Sequence, residues 1–363
     1  MANFDSIQQR ETGLQQHLNS AQMTMIAIGG AIGTGLFMGS AFAISFAGPS
    51  VLISYAIGAF IGLLLMGCLA EMTVAHPTSG SFGAYAEHYI SPLAGFVVRY
   101  AYWGAVVLAV GMEVTAVGKY MAYWFPSVDQ WVWVALFSVI LAAVNATSVK
   151  AFGQVEYWFS MVKVIAIVAF ILIGAYVVFG TRPAGVGFDN YFVDGGFFPN
   201  GISGLIMAMA IIMFSFGGIE LVGIAAAETK DPATTIPKAV NQIVYRVLLF
   251  YVLTIIVLLS LFPWNQIAEG GSPFVLIFDS LGSQGVATVL NFVVLTAAIS
   301  VYNGTSYGTS RMLLGLAEQG NAPQFLKKIN RRGIPYAAIL CSALVTLLCV
   351  VLNYVFPEKA FKL

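Results

Sequence analysis

Charge is what this sequence most lacks. Only 9% of its 363 residues are Asp, Glu, Lys or Arg, against about a quarter in a typical soluble domain. With 59% hydrophobic residues and a mean hydropathy of +0.86, the chain is a membrane protein by composition. Basic and acidic residues balance at 16 each, so nothing in the charge favours a nucleic-acid partner. Cysteine is scarce too. Cys68, Cys341 and Cys349 lie in apolar runs, their number is odd and no CxxC occurs, so neither a disulfide framework nor a zinc site is indicated. His17, His76 and His88 fall outside the apolar runs and form no metal motif. There is no HExxH, so no metalloenzyme signature, and no GxxxxGK[ST], so no nucleotide module for ATP-driven transport. No charged ring or filter-like repeat of an ion channel is present, and no cofactor or metal is expected. The first twenty residues, "MANFDSIQQRETGLQQHLNS", are polar and lack the apolar core of a signal peptide. Residues 1–20 therefore read as a cytoplasmic N-terminal segment ahead of a transmembrane domain over 21–363, with insertion led by the first span.

Long apolar runs are what the sequence has. A spanning helix needs about 20 mostly apolar residues. Nine runs qualify: 22–46, 50–75, 94–125, 130–148, 155–180, 201–227, 240–263, 284–314 and 334–356. Turn-rich separators such as "HPTSGSFGAY" and "FPSVDQ" divide them, "GTRPAGVGFDNYFVDGGFFPNG" is the longest outer loop, and "ETKDPATTIPKAVNQ" is expected to hold a short surface helix. Lys and Arg set the orientation. With the N-terminus inside, the inner segments carry eleven of the 16: Arg10, Arg99, Lys150, Lys230, Lys238, Arg246, Arg311, Lys327, Lys328, Arg331 and Arg332. The outer side has Arg182 and Lys119; Lys163 is within the fifth span, and Lys359 and Lys362 follow the ninth. This bias predicts a cytoplasmic N-terminus in a multi-pass membrane protein.

Glycine interrupts two of the runs. "AIGGAIGTGLF", residues 27–37, carries Gly29, Gly30, Gly33 and Gly35, and "MFSFGGIELVG", residues 213–223, carries Gly217 and Gly218. Each glycine weakens a helix by about 1 kcal/mol relative to alanine. One reading is close helix packing through small residues. The other is a pair of broken helices, each opening a five-helix repeat, as in transporters with inverted repeats. The second reading is the one taken forward, with unwinding expected at 31–35 and 215–218. It divides the chain into a first repeat over about 21–180 and a second over about 201–363. The second is one span short, since the sequence given stops at Leu363 after "FPEKAFKL". Unwinding in lipid frees backbone N–H and C=O groups that need partners. The N-terminal end of a half-helix suits a carboxylate and the C-terminal end of its mate suits an ammonium. Two facing breaks thus make a receptor for a zwitterion such as an amino acid, and Thr34 adds a hydroxyl there.

"GGAIGTGLF", "FSFGGIELVG", "AEMTVAHPTSGSFGAYA" and "SRMLLGLAEQGNAP" resemble the bacterial amino acid permeases of the amino acid–polyamine–organocation superfamily from about residue 13 onward. "GMEVTAVGKYMAYWFP" and "LTAAISVYNGTSYGTSRML" resemble most the aromatic amino acid permeases within it. The resemblance implies an all-α, leucine-transporter-like inverted-repeat bundle with broken helices 1 and 6. It also implies twelve helices, of which nine are present, and so a C-terminally truncated chain. By the same resemblance, the substrate carboxylate would meet the Thr34 hydroxyl and the Gly35 N–H. The amine would meet the carbonyls of Ala31, Phe214 and Gly217. Phe214 would be the aromatic gate, and Gly217, bulkier in many relatives, would widen the side-chain pocket. The implied function is secondary active import of amino acids, aromatic ones among them, driven by protons. A sodium-coupled symporter or an exchanger of the same fold is the alternative. An embedded enzyme or a channel is the more distant one.

Ionisable residues inside a span cost about 2.5–3.5 kcal/mol on insertion scales and mark function by default. Lys163, in "EYWFSMVKVIAIVAF", lies where sodium-coupled relatives place a sodium ion between helices 1, 5 and 8. The resemblance implies that the lysine supplies that charge, either gaining and losing a proton during the cycle or staying permanently charged. Glu220 follows the second break, where it would accept freed N–H groups or shuttle a proton. Glu113, in mid-span 3, would contact substrate or pair within the bundle. Glu71 reads as a solvated helix end, and Tyr100, Tyr102 and Trp103 as interfacial anchors. Asn303, Ser306 and Thr309 recur at helical spacing on one face that would turn to the core or the pathway.

Overall fold

A computed structural model describes Phe4, Ile7, residues 17–78 and 80–267, Phe274 and residues 284–355. Arg10, Lys359, Lys362 and the side chain of Arg246, counted above for orientation, lie outside the described residues. The first span is in three pieces: α1 Ser20–Ala31, a single turn α2 Thr34–Phe37, and α3 Gly39–Ala47. Asn19 starts it with a capping box. Its side chain accepts the Gln22 N–H at 2.9 Å while the Gln22 side chain accepts the Asn19 N–H at 3.1 Å. Then follow α4 Val51–Ala75, α5 Ser81–Tyr89, α6 Pro92–Ala122, α7 Gln130–Thr147 and α8 Val149–Tyr176. The sixth span is again divided, into α9 Gly201–Ser215 and α10 Leu221–Ile224. Helices α11 Pro232–Leu261, α12 Gln284–Glu318 and α13 Tyr336–Val355 complete the order. Ser20–Phe37, Gly39–Ala75, Pro92–Ala122, Gln130–Thr147, Val149–Thr181 and Gly285–Glu318 are each long and apolar enough to cross a bilayer. Gly201–Ser215, Leu249–Leu261 and Tyr336–Leu352 are shorter apolar helices.

Two loop assignments change. The separator "HPTSGSFGAY" contains the start of α5. Its composition is that of a turn, but Ala84 and Tyr85 are buried, and packing on α6 overrides local propensity. The surface helix expected in "ETKDPATTIPKAVNQ" is the opening of α11, which begins on Pro232, where a proline's fixed φ favours initiation.

The packing is that of an inverted repeat. α3 packs on α9 and α1 on α10, α4 on α11, α6 on α12, and α7 on α13. Each of the first four spans thus lies against the one five later in the chain. Successive spans alternate direction, so an offset of five pairs helices that run oppositely. α8 packs along α1, α11 and α12. The outer faces of the long helices are apolar: Phe60, Leu65, Leu108, Trp158, Ile165 and Leu172 are all exposed, as lipid contact requires.

The glycines of the first span serve both readings made from sequence. Gly29 lies against Ser160 of α8 and Gly35 against the Ser215 backbone, so they are close-packing positions. The chain also breaks between them, at Ile32 and Gly33, which are both extended. The break is narrower than the expected 31–35. The N–H groups of Leu36 and Phe37 return to the Gly33 carbonyl at 3.1 and 3.2 Å, so Thr34 and Gly35 already belong to a helical turn. The second break runs over Phe216–Glu220 rather than 215–218, because Ser215 is still helical. The two breaks meet backbone to backbone. A Cβ on Gly30 would stand 2.6 Å from the Gly218 carbonyl oxygen, and one on Gly218 would stand 2.3 Å from that of Gly30. Gly218 also has φ +101°, which side chains of L residues rarely adopt. Gly218→Ala is expected to destabilise the protein by at least about 1–3 kcal/mol and to lower its unfolding temperature in detergent. Gly67→Ala, at an exposed helical glycine with nothing within 4 Å, is the control and should leave it unchanged or raise it.

Candidate functional site

A cavity of about 180 Å³ lies where the two breaks face each other. Gly30, Ala31, Gly33 and Gly35 line it from the first span, and Phe214, Ser215, Gly217, Gly218 and Glu220 from the sixth. α6 contributes Ala105, Val106, Ala109 and Glu113, and α12 contributes Val301 and Thr305. Of the site residues expected from sequence, Ala31, Gly35, Phe214, Gly217, Glu113 and Glu220 therefore converge on one space.

The polar groups at its edge are held by each other. The Thr34 hydroxyl, expected to meet a substrate carboxylate, donates to Glu113 Oε1 at 2.6 Å. The second Glu113 oxygen, Oε2, is buried without a hydrogen-bond partner, on a side chain that is only 4% exposed and lines the cavity. A buried carboxylate oxygen without a partner is an acceptor held in reserve beside the cavity. Glu220 bridges the second break: Oε2 accepts the Gly218 N–H and Oε1 accepts the Tyr102 hydroxyl, both at 2.8 Å. It thus takes up a backbone donor freed by the unwinding. Tyr102 is a correction, since it reaches the core, whereas its neighbour Tyr100 faces outward at 52% exposure. Residues two apart on a helix point to different faces. Trp103 also turns inward and donates to Ser342 at 3.2 Å. Phe214 is 46% exposed and stands at the cavity rim. A Cβ on Gly217 would meet only the Phe214 carbonyl oxygen, at 3.0 Å.

Tyr251 of α11 has no counterpart among the residues singled out from sequence, because "LLFYVLT" reads as an ordinary apolar span. Its hydroxyl lies 2.6 Å from the Ala31 carbonyl oxygen and 2.7 Å from that of Ser215. Those are the last helical residues before each break. One hydroxyl proton is shared between two carbonyls, each of which keeps a lone pair for another donor. The Phe214 carbonyl accepts the Gly217 N–H at 3.0 Å and that of Gly35 accepts the Ser215 hydroxyl at 3.0 Å.

Lys163 does not line the cavity. It is fully buried behind the first break, where its ammonium donates to the Gly29 carbonyl at 2.5 Å and to the Ser300 hydroxyl at 2.8 Å. It therefore sits between α1, α8 and α12. Asn303 and Thr309 are buried, but Asn303 faces α7 and α8 through Asn145 and Glu156. The cavity-lining residue of α12 on that stretch is Thr305 instead. Residues 304–308, "GTSYG", spell the G-x-S-x-G pattern of a hydrolase nucleophile. They lie within the continuous helix α12 rather than on the strand-to-helix turn that pattern requires. Glu71 is exposed near the end of α4.

The architecture is that of an inverted-repeat secondary transporter, and solved structures share it. Mhp1, a nucleobase-cation-symport-1 family transporter solved in a closed conformation with bromovinylhydantoin bound, matches with a TM-score of 0.63 at 14% identity. That match covers 97% of this chain and 76% of that one. A mutant manganese transporter of Eremococcus coleocola matches at 0.58 and 10% identity over 94% and 73%. The amino acid permease family model matches residues 22–363, and the chain belongs to that family. It is 51% identical over 357 residues to the aromatic amino acid transport protein AroP of Escherichia coli K12, and 52% identical to that of Salmonella typhi. Each match spans 98% of this chain and 78% of the relative. The protein is a multi-pass membrane transporter of amino acids, not an enzyme.

Removing the hydroxyl that joins the two breaks tests the geometry. Tyr251→Phe should cost about 1–3 kcal/mol, the penalty for leaving buried acceptors short of a donor. Thermal unfolding in detergent reads the loss; an unfolding temperature equal to wild type would contradict the shared bond.

Proposed function

We propose that the protein imports aromatic amino acids across the cell inner membrane, with the cavity at the two breaks as its substrate site and the proton as its coupling ion. The observation that carries this reading is the buried Glu113 oxygen that lacks a partner beside the facing breaks. It supplies an anionic acceptor for an α-ammonium group next to the carbonyls of Ala31, Phe214 and Gly217. The Gly35 N–H and the Thr34 hydroxyl, on release from Glu113, serve the α-carboxylate. Gly217 leaves room for an aromatic side chain, and Phe214 closes over it. Identity of about half to AroP-type aromatic transporters supports the choice of substrate. Lys163 supports the choice of ion, because its ammonium already supplies a positive charge between α1, α8 and α12. Glu220 either tunes the second break or passes a proton. Its bond to the Gly218 N–H favours the first role.

The same reading has nine spans, formed by α1–α3, α4, α6, α7, α8, α9–α10, α11, α12 and α13, out of twelve in the full fold. The first repeat covers about 21–180 and the second about 201–363. The N-terminal segment, Arg99, Lys150, Lys230 and Arg311 are on the cytoplasmic side. Arg332 donates to the Thr147 carbonyl at 3.3 Å, which supports one common basic end for the loop after α12 and the α7–α8 corner.

In proteoliposomes with an alkaline lumen, the protein is expected to accumulate labelled phenylalanine, tyrosine and tryptophan without sodium. Lys163→Ala is expected to abolish accumulation under a pH difference alone. Accumulation by the variant, or accumulation driven by a sodium gradient at equal pH, would overturn proton coupling through Lys163.

A further inference from the structure

α8 carries a second buried ionisable side chain that the substrate site does not use. Glu156 is 1% exposed and lies seven residues before Lys163, about two turns back on the same helix face. Its carboxylate is fully engaged. Oε1 accepts the Ser300 hydroxyl and, at 3.4 Å, that of Ser160; Oε2 accepts Asn303 Nδ2 at 3.3 Å. Asn303 is in turn held by Asn145 Nδ2 at 2.9 Å. Lys163 Nζ is 4.0 Å from Glu156 Oε1, too far for a direct hydrogen bond. Both groups touch Ser300: Lys163 donates to its Oγ, and that hydroxyl donates to Glu156. The three side chains are one unbroken run of donor to acceptor.

We propose that Lys163, Ser300 and Glu156 form a proton relay, in which the lysine discharges through the serine hydroxyl onto the Glu156 carboxylate. This rests on the coupling role proposed for Lys163. An N–H bond of the ammonium breaks as an O–H bond forms at Ser300 Oγ. The original Ser300 O–H breaks as one forms at Glu156 Oε1. The ion pair becomes a neutral amine and a neutral carboxylic acid, with no change in net charge and no co-reactant. Discharge of Lys163 without this hand-off would leave Glu156 as an uncompensated buried anion, which a low-dielectric interior penalises heavily. Glu156 lies toward the N-terminal end of α8. In the proposed orientation the relay therefore moves the proton toward the cytoplasm.

The surrounding helices leave few other groups to compete. α1–α3 and α7 contain no ionisable side chain. From α6, Glu113 faces Lys163 across the first break and shares its field. On α12, Tyr307 and Arg311 are committed to Glu228 and Tyr302 turns to Ser138. The Tyr251 hydroxyl of α11 is on the break carbonyls.

The test compares Glu156→Gln, Ser300→Ala, Ser300→Thr and Lys163→Ala with wild type in proteoliposomes. Accumulation of labelled phenylalanine under a pH difference is measured beside its exchange at equal pH. Glu156→Gln and Ser300→Ala are expected to lose accumulation by about tenfold or more beyond any fall in exchange, and Ser300→Thr, which keeps the hydroxyl, to recover it. A second readout needs no transport: infrared difference spectra of the reconstituted chain between acid and alkaline pH. A protonated-carboxyl band that disappears in Glu156→Gln and changes in Lys163→Ala is expected. Wild-type accumulation in Glu156→Gln and Ser300→Ala, with Lys163→Ala inactive, would overturn the relay and leave Lys163 as the coupling site. Accumulation by Lys163→Ala would overturn both. Equal losses of exchange and accumulation without rescue by Ser300→Thr, or a carboxyl band unchanged in Glu156→Gln, would also overturn the relay.

Discussion

The contact on which the rest depends is between two glycines. Gly30 and Gly218 bring the backbones of the first and sixth spans so close that a methyl group on either would strike the other's carbonyl oxygen. That approach places the ends of four half-helices around one cavity. It leaves carbonyls and N–H groups of the broken ends inside the bundle, and the protein must then satisfy them. Tyr251 takes a carbonyl from each break, Glu220 takes the Gly218 N–H, and Thr34 and Glu113 hold each other. What is left over is one buried oxygen of Glu113, whose side chain lines the cavity.

A second polar layer lies behind the first. Lys163 ties α8 to the Gly29 carbonyl at the edge of the break, and Ser300 and Glu156 tie Lys163 to α12. The charge state of this layer therefore bears on the helix whose backbone forms the cavity wall. A third cluster closes the basic end. Glu228 is bonded to Arg311 at 3.0 Å and to the Tyr307 hydroxyl, with Phe152 stacked on Tyr307 at 4.2 Å. Leu18 pairs with Thr229 beside it, and the Leu18 N–H bonds to the Glu228 carbonyl at 3.0 Å. Leu18, two residues before α1, thus docks on the bundle and is fully buried.

Much of this was legible in the residues. Glycine pairs inside apolar runs marked both breaks, since a helix in lipid carries such residues only for close packing or for unwinding, and here they serve both. Glu113, Glu220 and Lys163 stood out because charge inside a span is costly. The limits of each break were not legible, because they are set by side-chain partners that composition does not reveal: Glu113, in another span, for Thr34, and Glu220, two residues on, for Gly218. Tyr251 was hidden because a tyrosine within an apolar run gives no sign of which carbonyls its hydroxyl will reach. Glu156 was missed because it falls at the edge of the 155–180 run, where a charge carries less cost than in the middle of a span. Its seven-residue spacing from Lys163 was the available signal. α5 was missed because its turn-like composition is outweighed by burial against α6.

The central claim is that facing breaks recognise both charged ends of an amino acid. Equilibrium binding of three ligands to the reconstituted protein tests it most directly: phenylalanine, phenethylamine, which lacks the carboxylate, and 3-phenylpropionate, which lacks the amine. Each truncated ligand is expected to bind on the order of ten- to a hundredfold more weakly than phenylalanine, because each leaves one set of buried partners unsatisfied. Binding of either truncated ligand as tight as that of phenylalanine would contradict it.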